Sequence, residues 1–170
     1  GTNRQVTGIE GTNQYNAAGQ QLFVQADGSI GTNDTGTPAV TMYVTSSDTR
    51  IGAGGDGEDI GLDTNSGVIT MFTQTGTDSW NQVDIVRGLP RSEENHATNG
   101  LEMIQEFDGG GNLVAERLFV ASGGNANTGA PSNNFAGQQE QPLSAAILEV
   151  NVTALKAANG GVPLNDNGRA

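Results

Sequence analysis

The chain has 170 residues, enough for one domain with a core, but hydrophobic residues make up only 34% and glycine alone contributes 26 residues. The net charge of −12 argues against a nucleic-acid partner, because an acidic surface repels phosphate backbones. The absence of cysteine excludes disulfides, thiolate zinc sites and a cysteine nucleophile, and no apolar run approaches the roughly 18–20 residues of a membrane span.

The first 20 residues form the most polar end of the chain. Beyond Val6, Ile9 and Tyr15 they carry almost no apolar side chains, too few to order a segment by burial. We predict a polar N-terminal arm over residues 1–20, held by a neighbouring subunit or by packing along its own domain, and a single β domain over residues 21–170. Position 1 is Gly rather than Met, as after removal of a signal or pro-segment.

Short alternating runs predict strands in the first half of this domain. Residues 22–24 precede the turn pair Asp27-Gly28. Val40, Met42 and Val44 alternate with Thr41, Tyr43 and Thr45, which predicts a strand with one buried face over residues 39–45, and residues 67–73 repeat the pattern.

The second half contains the clearest hairpin. Residues 101–107 and 113–120 are both strand-like, and the Asp-Gly-Gly-Gly-Asn run at 108–112 supplies the conformations that a hairpin loop needs. Residues 122–141 are predicted to be a long polar loop. Residues 147–152 predict a strand and residues 153–159 a short helix capped by Thr153, with a single helix over residues 144–158 as the alternative.

These elements together predict an all-β fold, an antiparallel sandwich or a jelly-roll-like domain with one short C-terminal helix. Sandwiches of this kind are built from short alternating strands joined by turns rich in glycine and asparagine.

An acidic, glycine-rich loop at residues 52–67 is the one candidate metal site. Alternating carboxylate and amide oxygens, spaced by glycines, can turn several ligands toward one Ca²⁺ ion. The run does not fit the EF-hand template, and a solvated acidic loop and a catalytic carboxylate pair are the other interpretations. The candidate ligands are Asp56, Glu58, Asp59, Asp63 and Asn65.

Catalytic motifs are absent from the sequence, so we predict that the chain is not an enzyme. His96 is the only histidine and lacks a nucleophile elbow, so it is interpreted as a surface residue. Trp80 is the only tryptophan, and it is interpreted as a core or interface anchor rather than a sugar platform.

Three functional hypotheses follow. The first is a structural subunit of an extracellular filament or a virion, partnered by copies of itself and located outside the cell or on the virion surface. The second is a secreted calcium-dependent adhesion or carbohydrate-binding module that uses the acidic loop. The third is a secreted hydrolase with a pair of catalytic carboxylates.

Overall fold

The computed structural model describes residues 4–48, 65–91, 97–124 and 142–158. These residues form an antiparallel, β-dominated fold with one short helix, which confirms the predicted all-β class. None of the described helical residues forms a segment long and apolar enough to cross a membrane. In chain order the elements are β1 (Arg4–Asn13), β2 (Phe23–Val24), β3 (Ile30–Gly31), β4 (Thr37–Pro38), β5 (Val40–Asp48), β6 (Gly67–Gly76), β7 (Ser79–Leu89), β8 (Thr98–Phe107), β9 (Leu113–Ser122), β10 (Ala146–Asn151) and α1 (Val152–Ala158).

Two sheets form the sandwich. The larger has the strand order β1-β5-β6-β7 and the smaller has the order β10-β9-β8, while β3-β2-β4 makes a third, short sheet. The core between the two main sheets is built around Tyr43, Ile69, Met71, Leu118 and Val120, and the helix residue Val152 is buried with them.

The β8–β9 hairpin has the predicted loop. Oδ1 of Asp108 accepts hydrogen bonds from the backbone N–H groups of Gly110 and Asn112, at 2.9 and 2.8 Å. Gly111 has a φ of 80°, a conformation that favours glycine. Hydrogen bonds from Asn112 lower the pKa of the Asp108 carboxyl, since they stabilise its charged form.

Strand β5 alternates as predicted, and its buried face is the polar one. Thr41, Tyr43 and Thr45 are at most 2% exposed, whereas Val40 and Met42 are half-buried on the opposite face. The interior of the sandwich therefore contains several hydroxyl groups among its aliphatic side chains. Those of Tyr43, Thr98 and Ser122 have no hydrogen-bond partner in the described part of the chain.

The described part of the N-terminal segment contains a strand of the larger sheet, so this part packs along its own domain. Residues of β1 pair with β5 in antiparallel register from Arg4↔Asp48 to Asn13↔Val40. This pairing satisfies backbone groups without needing apolar side chains. The buried Arg91 adds to it by donating to Oε1 of Gln5 at 2.9 Å and to Oγ of Ser47 at 2.8 Å.

Strand β1 also closes one side of the sandwich against β8. The Thr7 hydroxyl donates to the carbonyl of Thr98, and Gly8 lies so close to Asn99 that a Cβ atom at Gly8 would be 2.0 Å from the Asn99 carbonyl oxygen. The two sheets thus meet at this edge through side-chain bonds and a close backbone approach.

The C-terminal strand and helix were predicted almost at their observed bounds, and the alternative helix over residues 144–158 is wrong. The predicted cap is also wrong, because Oδ1 of Asn151 accepts the backbone N–H of Ala154 at 2.9 Å and so caps α1. Thr153 instead accepts the backbone N–H of Glu116 at 2.6 Å, which ties α1 to β9.

Glu10 on β1 provides a test of the β1–β8 contact by pH. Partial burial and the negative charge of Glu102 on β8 raise the pKa of the Glu10 carboxyl above 4.5. The folded state therefore binds this proton more tightly than the unfolded state, and stability falls as the pH rises from about 4.5 through the folded pKa. We expect Glu10→Gln to raise the melting temperature at pH 7.5 and to leave it unchanged near pH 4. Thermal melts at both values would measure this, with Asp34→Asn in an exposed loop as the control for one lost charge.

Candidate functional site: the open side of the sandwich

Within the described residues, the side of the sandwich opposite β1 and β8 is open. Its edges are β7 and β10, which are not paired to any described strand at their outer sides. Between them lies an apolar groove with a volume of about 520 Å³. Its floor is Ile69 and Val120, and the remaining lining comes from both edges and from α1: Ile85, Val86, Leu89, Leu143, Leu148, Glu149, Val150, Asn151, Ala154 and Leu155.

Two large apolar side chains are exposed in the segment that leads into and forms β10. Leu143 is 52% exposed and lines the groove, whereas Ile147 is 71% exposed and lies on the face of β10 opposite that of Leu148. Leu143 has a φ of 74° and Ala145 a φ of 49°, values that are strained for residues with a Cβ atom. The segment leading into β10 therefore presents an apolar side chain to solvent from an unfavourable backbone conformation.

The edge strands differ in their regularity. Register shifts interrupt the pairing of β1, β7 and β8 with their neighbours, whereas β10 pairs with β9 without a shift from Ala146↔Ser122 to Asn151↔Arg117. Bulges and charged residues are the usual means by which proteins stop an exposed edge from pairing with another chain. Of the four edges of the two main sheets, β10 alone pairs without a bulge, and Glu149 is its one charged residue.

A second cavity, of about 360 Å³, lies where β9, α1 and the turn after β1 meet. It contains the ion pair between Nζ of Lys156 and Oε2 of Glu116, at 2.5 Å. The Glu116 side chain is only 4% exposed, and its Oε1 accepts a hydrogen bond from Nε2 of Gln105 at 3.1 Å. Burial, followed by the negative charge of Glu116, raises the pKa of the Tyr43 hydroxyl well above its usual value.

This polar cluster is best explained as a structural anchor. Both carboxylate oxygens of Glu116 are engaged by protein groups, and Thr153 and Lys156 hold α1 to β9 through the same residue. Within the described residues, no three histidine, aspartate or glutamate side chains are grouped so that they could hold a metal ion.

Most of the predicted calcium ligands cannot be placed against this geometry. Asp56, Glu58, Asp59 and Asp63 lie outside the described residues, and Asn65 lies two residues before β6. The calcium site stays a prediction.

The two other residues singled out in the sequence are Trp80 and His96. Trp80 is 39% exposed on β7, directly across from Gln74 on β6. His96 lies outside the described residues.

No family model, curated protein or solved structure matches this chain. Function is therefore argued from the geometry of the open side.

The groove was not predicted from the sequence. Its lining comes from five separate stretches between Ile69 and Leu155 that become neighbours only when the two sheets align. One local signal was present, since the alternation of residues 147–152 contains an exposed position occupied by isoleucine, where a solvent-facing strand usually has a polar residue.

Proposed function

We propose that this chain is a structural subunit of an extracellular filament or a virion, and that it assembles with copies of itself through the open side of the sandwich. The observation that carries the proposal is the apolar groove between two edge strands. Exposed strand edges pair readily with other chains. An apolar patch next to such an edge stabilises the pair further, because association removes the patch from water.

The charge of the chain supports assembly that depends on ionic strength. Each copy carries a net charge of −12, so copies repel one another in dilute buffer. Salt at about 0.15 M or more shortens the range of this repulsion to roughly 8 Å or less. We therefore expect assembly to strengthen as salt is added, whereas contacts held by ion pairs would weaken.

The proposal is tested by measuring particle mass against protein and salt concentration, by mass photometry and by light scattering, with electron microscopy of the assembled fraction. Particles larger than one chain that grow with concentration are the expected result. A single mass of one chain across the whole range would contradict the proposal.

A variant at the rim tests the groove itself. Leu143→Asn removes an exposed apolar side chain, and asparagine tolerates a positive φ better than leucine, so the fold of the single chain should be as stable or more stable. We expect self-association to weaken by about tenfold, which corresponds to about 1.4 kcal/mol.

The matched control is Val6→Asn. Val6 is 55% exposed, close to the 52% of Leu143, but it lies on β1 at the closed side of the sandwich. Assembly should survive this change. Equal losses in the two variants would show that general surface hydrophobicity, and not the groove, drives association.

A further inference from the structure

The regular edge of β10 is self-complementary. Two copies of an antiparallel strand can pair about a two-fold axis perpendicular to the sheet, which keeps both inner faces on the same side. Side chains alternate along β10, and residues directly opposite each other must have their side chains on the same face. The two-fold axis therefore lies where one residue is opposite the same residue of the second copy, and this residue is called the centre of the register. Inner positions then meet inner positions, and outer positions meet outer positions.

Two registers pair most of the residues of β10 with the second copy, and they differ in which residue lies opposite the charged Glu149. A centre at Glu149 places this carboxylate opposite Glu149 of the partner subunit, and like charges directly opposite each other are destabilising. A centre at Leu148 instead places Leu148 opposite Leu148 of the partner subunit, with Ile147 opposite the partner's Glu149. The second register pairs apolar groups on the inner face and avoids the repulsion.

We propose that β10 of one copy pairs with β10 of a second copy, antiparallel and centred on Leu148. The pairing joins the two three-stranded sheets into one sheet of six strands. It also places the apolar grooves of the two copies side by side at the joint, where Leu143 and Ile147 lose their exposure. This proposal rests on the proposed self-assembly and names the joint through which it occurs.

Single cysteine variants test the register without interference, because the chain has no cysteine of its own. Residues directly opposite each other in an antiparallel pair have Cβ atoms about 4.5–5.5 Å apart, which small movements bring within reach of a disulfide. We expect Leu148→Cys to form a covalent dimer under mild oxidation on a non-reducing gel. A mixture of Ala146→Cys and Val150→Cys should form the mixed dimer, since Ala146 faces Val150 of the partner subunit in this register, and all three variants keep Glu149. In the register centred on Glu149, Leu148 faces Val150 of the partner subunit, so a mixed dimer of Leu148→Cys and Val150→Cys in preference to the dimer of Leu148→Cys alone would overturn the proposed register.

A charged residue on the edge tests the joint independently of any cysteine. Ile147→Glu places a carboxylate opposite Glu149 of the partner subunit in the proposed register, and like charges directly opposite each other are destabilising. In the single chain the position is exposed, so the fold should stay intact, as circular dichroism would show. We expect its dissociation constant to rise at least tenfold. Ile9→Glu is the control, since Ile9 is 64% exposed on the interrupted edge strand β1, and its association should not change.

The outcomes separate this proposal from the proposed function. If the wild-type chain assembles while Ile147→Glu associates normally and Leu148→Cys does not cross-link, the joint lies elsewhere and only the β10 pairing is overturned. If the wild-type chain stays monomeric at every concentration and salt, both proposals are overturned. Loss of association in Ile147→Glu together with cross-linking of Leu148→Cys supports both.

Discussion

Replacing Gly8 by alanine should lower the free energy of unfolding by about 3 kcal/mol, equivalent to a fall of about 10 °C in melting temperature. A Cβ atom there would lie 2.0 Å from the carbonyl oxygen of Asn99 and 2.9 Å from Oγ1 of Thr45. The nearest obstruction is backbone, so it cannot turn away as a flexible side chain would. Strand β1 would have to move off β8, and the hydrogen bond from Thr7 to Thr98 would be lost or lengthened.

Gly11→Ala is the control for this prediction. Gly11 lies three residues further along β1, and nothing is within 4 Å of where its Cβ atom would be. The alanine should be neutral or slightly stabilising, by up to about 0.5 kcal/mol, because it reduces the freedom of the unfolded chain. Urea or thermal unfolding of the two variants gives the comparison. Similar stabilities would mean that β1 does not pack on β8 as the structure has it.

Lys156→Met should destabilise the fold by about 2 kcal/mol. This loss is smaller than is usual when one partner of a fully buried ion pair is removed, because the Lys156 side chain is 24% exposed. The change leaves the carboxylate of Glu116 almost fully buried with Gln105 as its remaining side-chain partner. It also removes the bond that holds α1 against β9. Replacing Glu116 by methionine as well should recover most of the loss, since no buried charge then remains.

The neighbouring residue supplies a control on the same strand. Arg117 pairs with Glu106 across β8 and β9, but both side chains are more than a third exposed. Arg117→Met should therefore cost no more than about 0.5 kcal/mol. Urea denaturation of the two single variants and the double variant measures all three values. Equal costs for Lys156→Met and Arg117→Met would contradict the buried character of the Glu116 pair.

The hairpin and the C-terminal strand that the sequence predicted have alternating side chains over most of their length. The loop at Asp108 has the residues that its turns require. Period and turn chemistry are local properties, so they can be read without knowing which strand pairs with which.

The two edge strands of the larger sheet were not predicted as strands. In β1 the apolar residues Val6 and Ile9 are three positions apart, because a bulge lies between Val6 and Gly8. In β7 the extra residues Ile85 and Gly88 interrupt the pairing with β6. A bulge inserts one residue into the alternation and shifts every later side chain to the other face, which hides the strand from a search for period two.

Which face of β5 is buried, and whether the groove forms, both depend on tertiary packing. Nothing local marks Thr41, Tyr43 and Thr45 as the core side in place of Val40, Met42 and Val44, since the choice follows from which face meets the second sheet. The groove likewise needs the relative position of β7, β10 and α1. The acidic loop at residues 52–67 stays a predicted calcium site.

The contact between β1 and β8 has a consequence for the order in which the chain folds. Thr7 and Thr98 are 91 residues apart in sequence, so their hydrogen bond closes one of the longest loops in the domain. Contacts of such separation are entropically costly until the intervening strands have formed. During synthesis on a ribosome β1 is made first, but its contact with β8 cannot form until β8 has also been made. The hairpin β8–β9 should therefore be protected from hydrogen exchange early in refolding, and β1, although first in the chain, should be protected among the last.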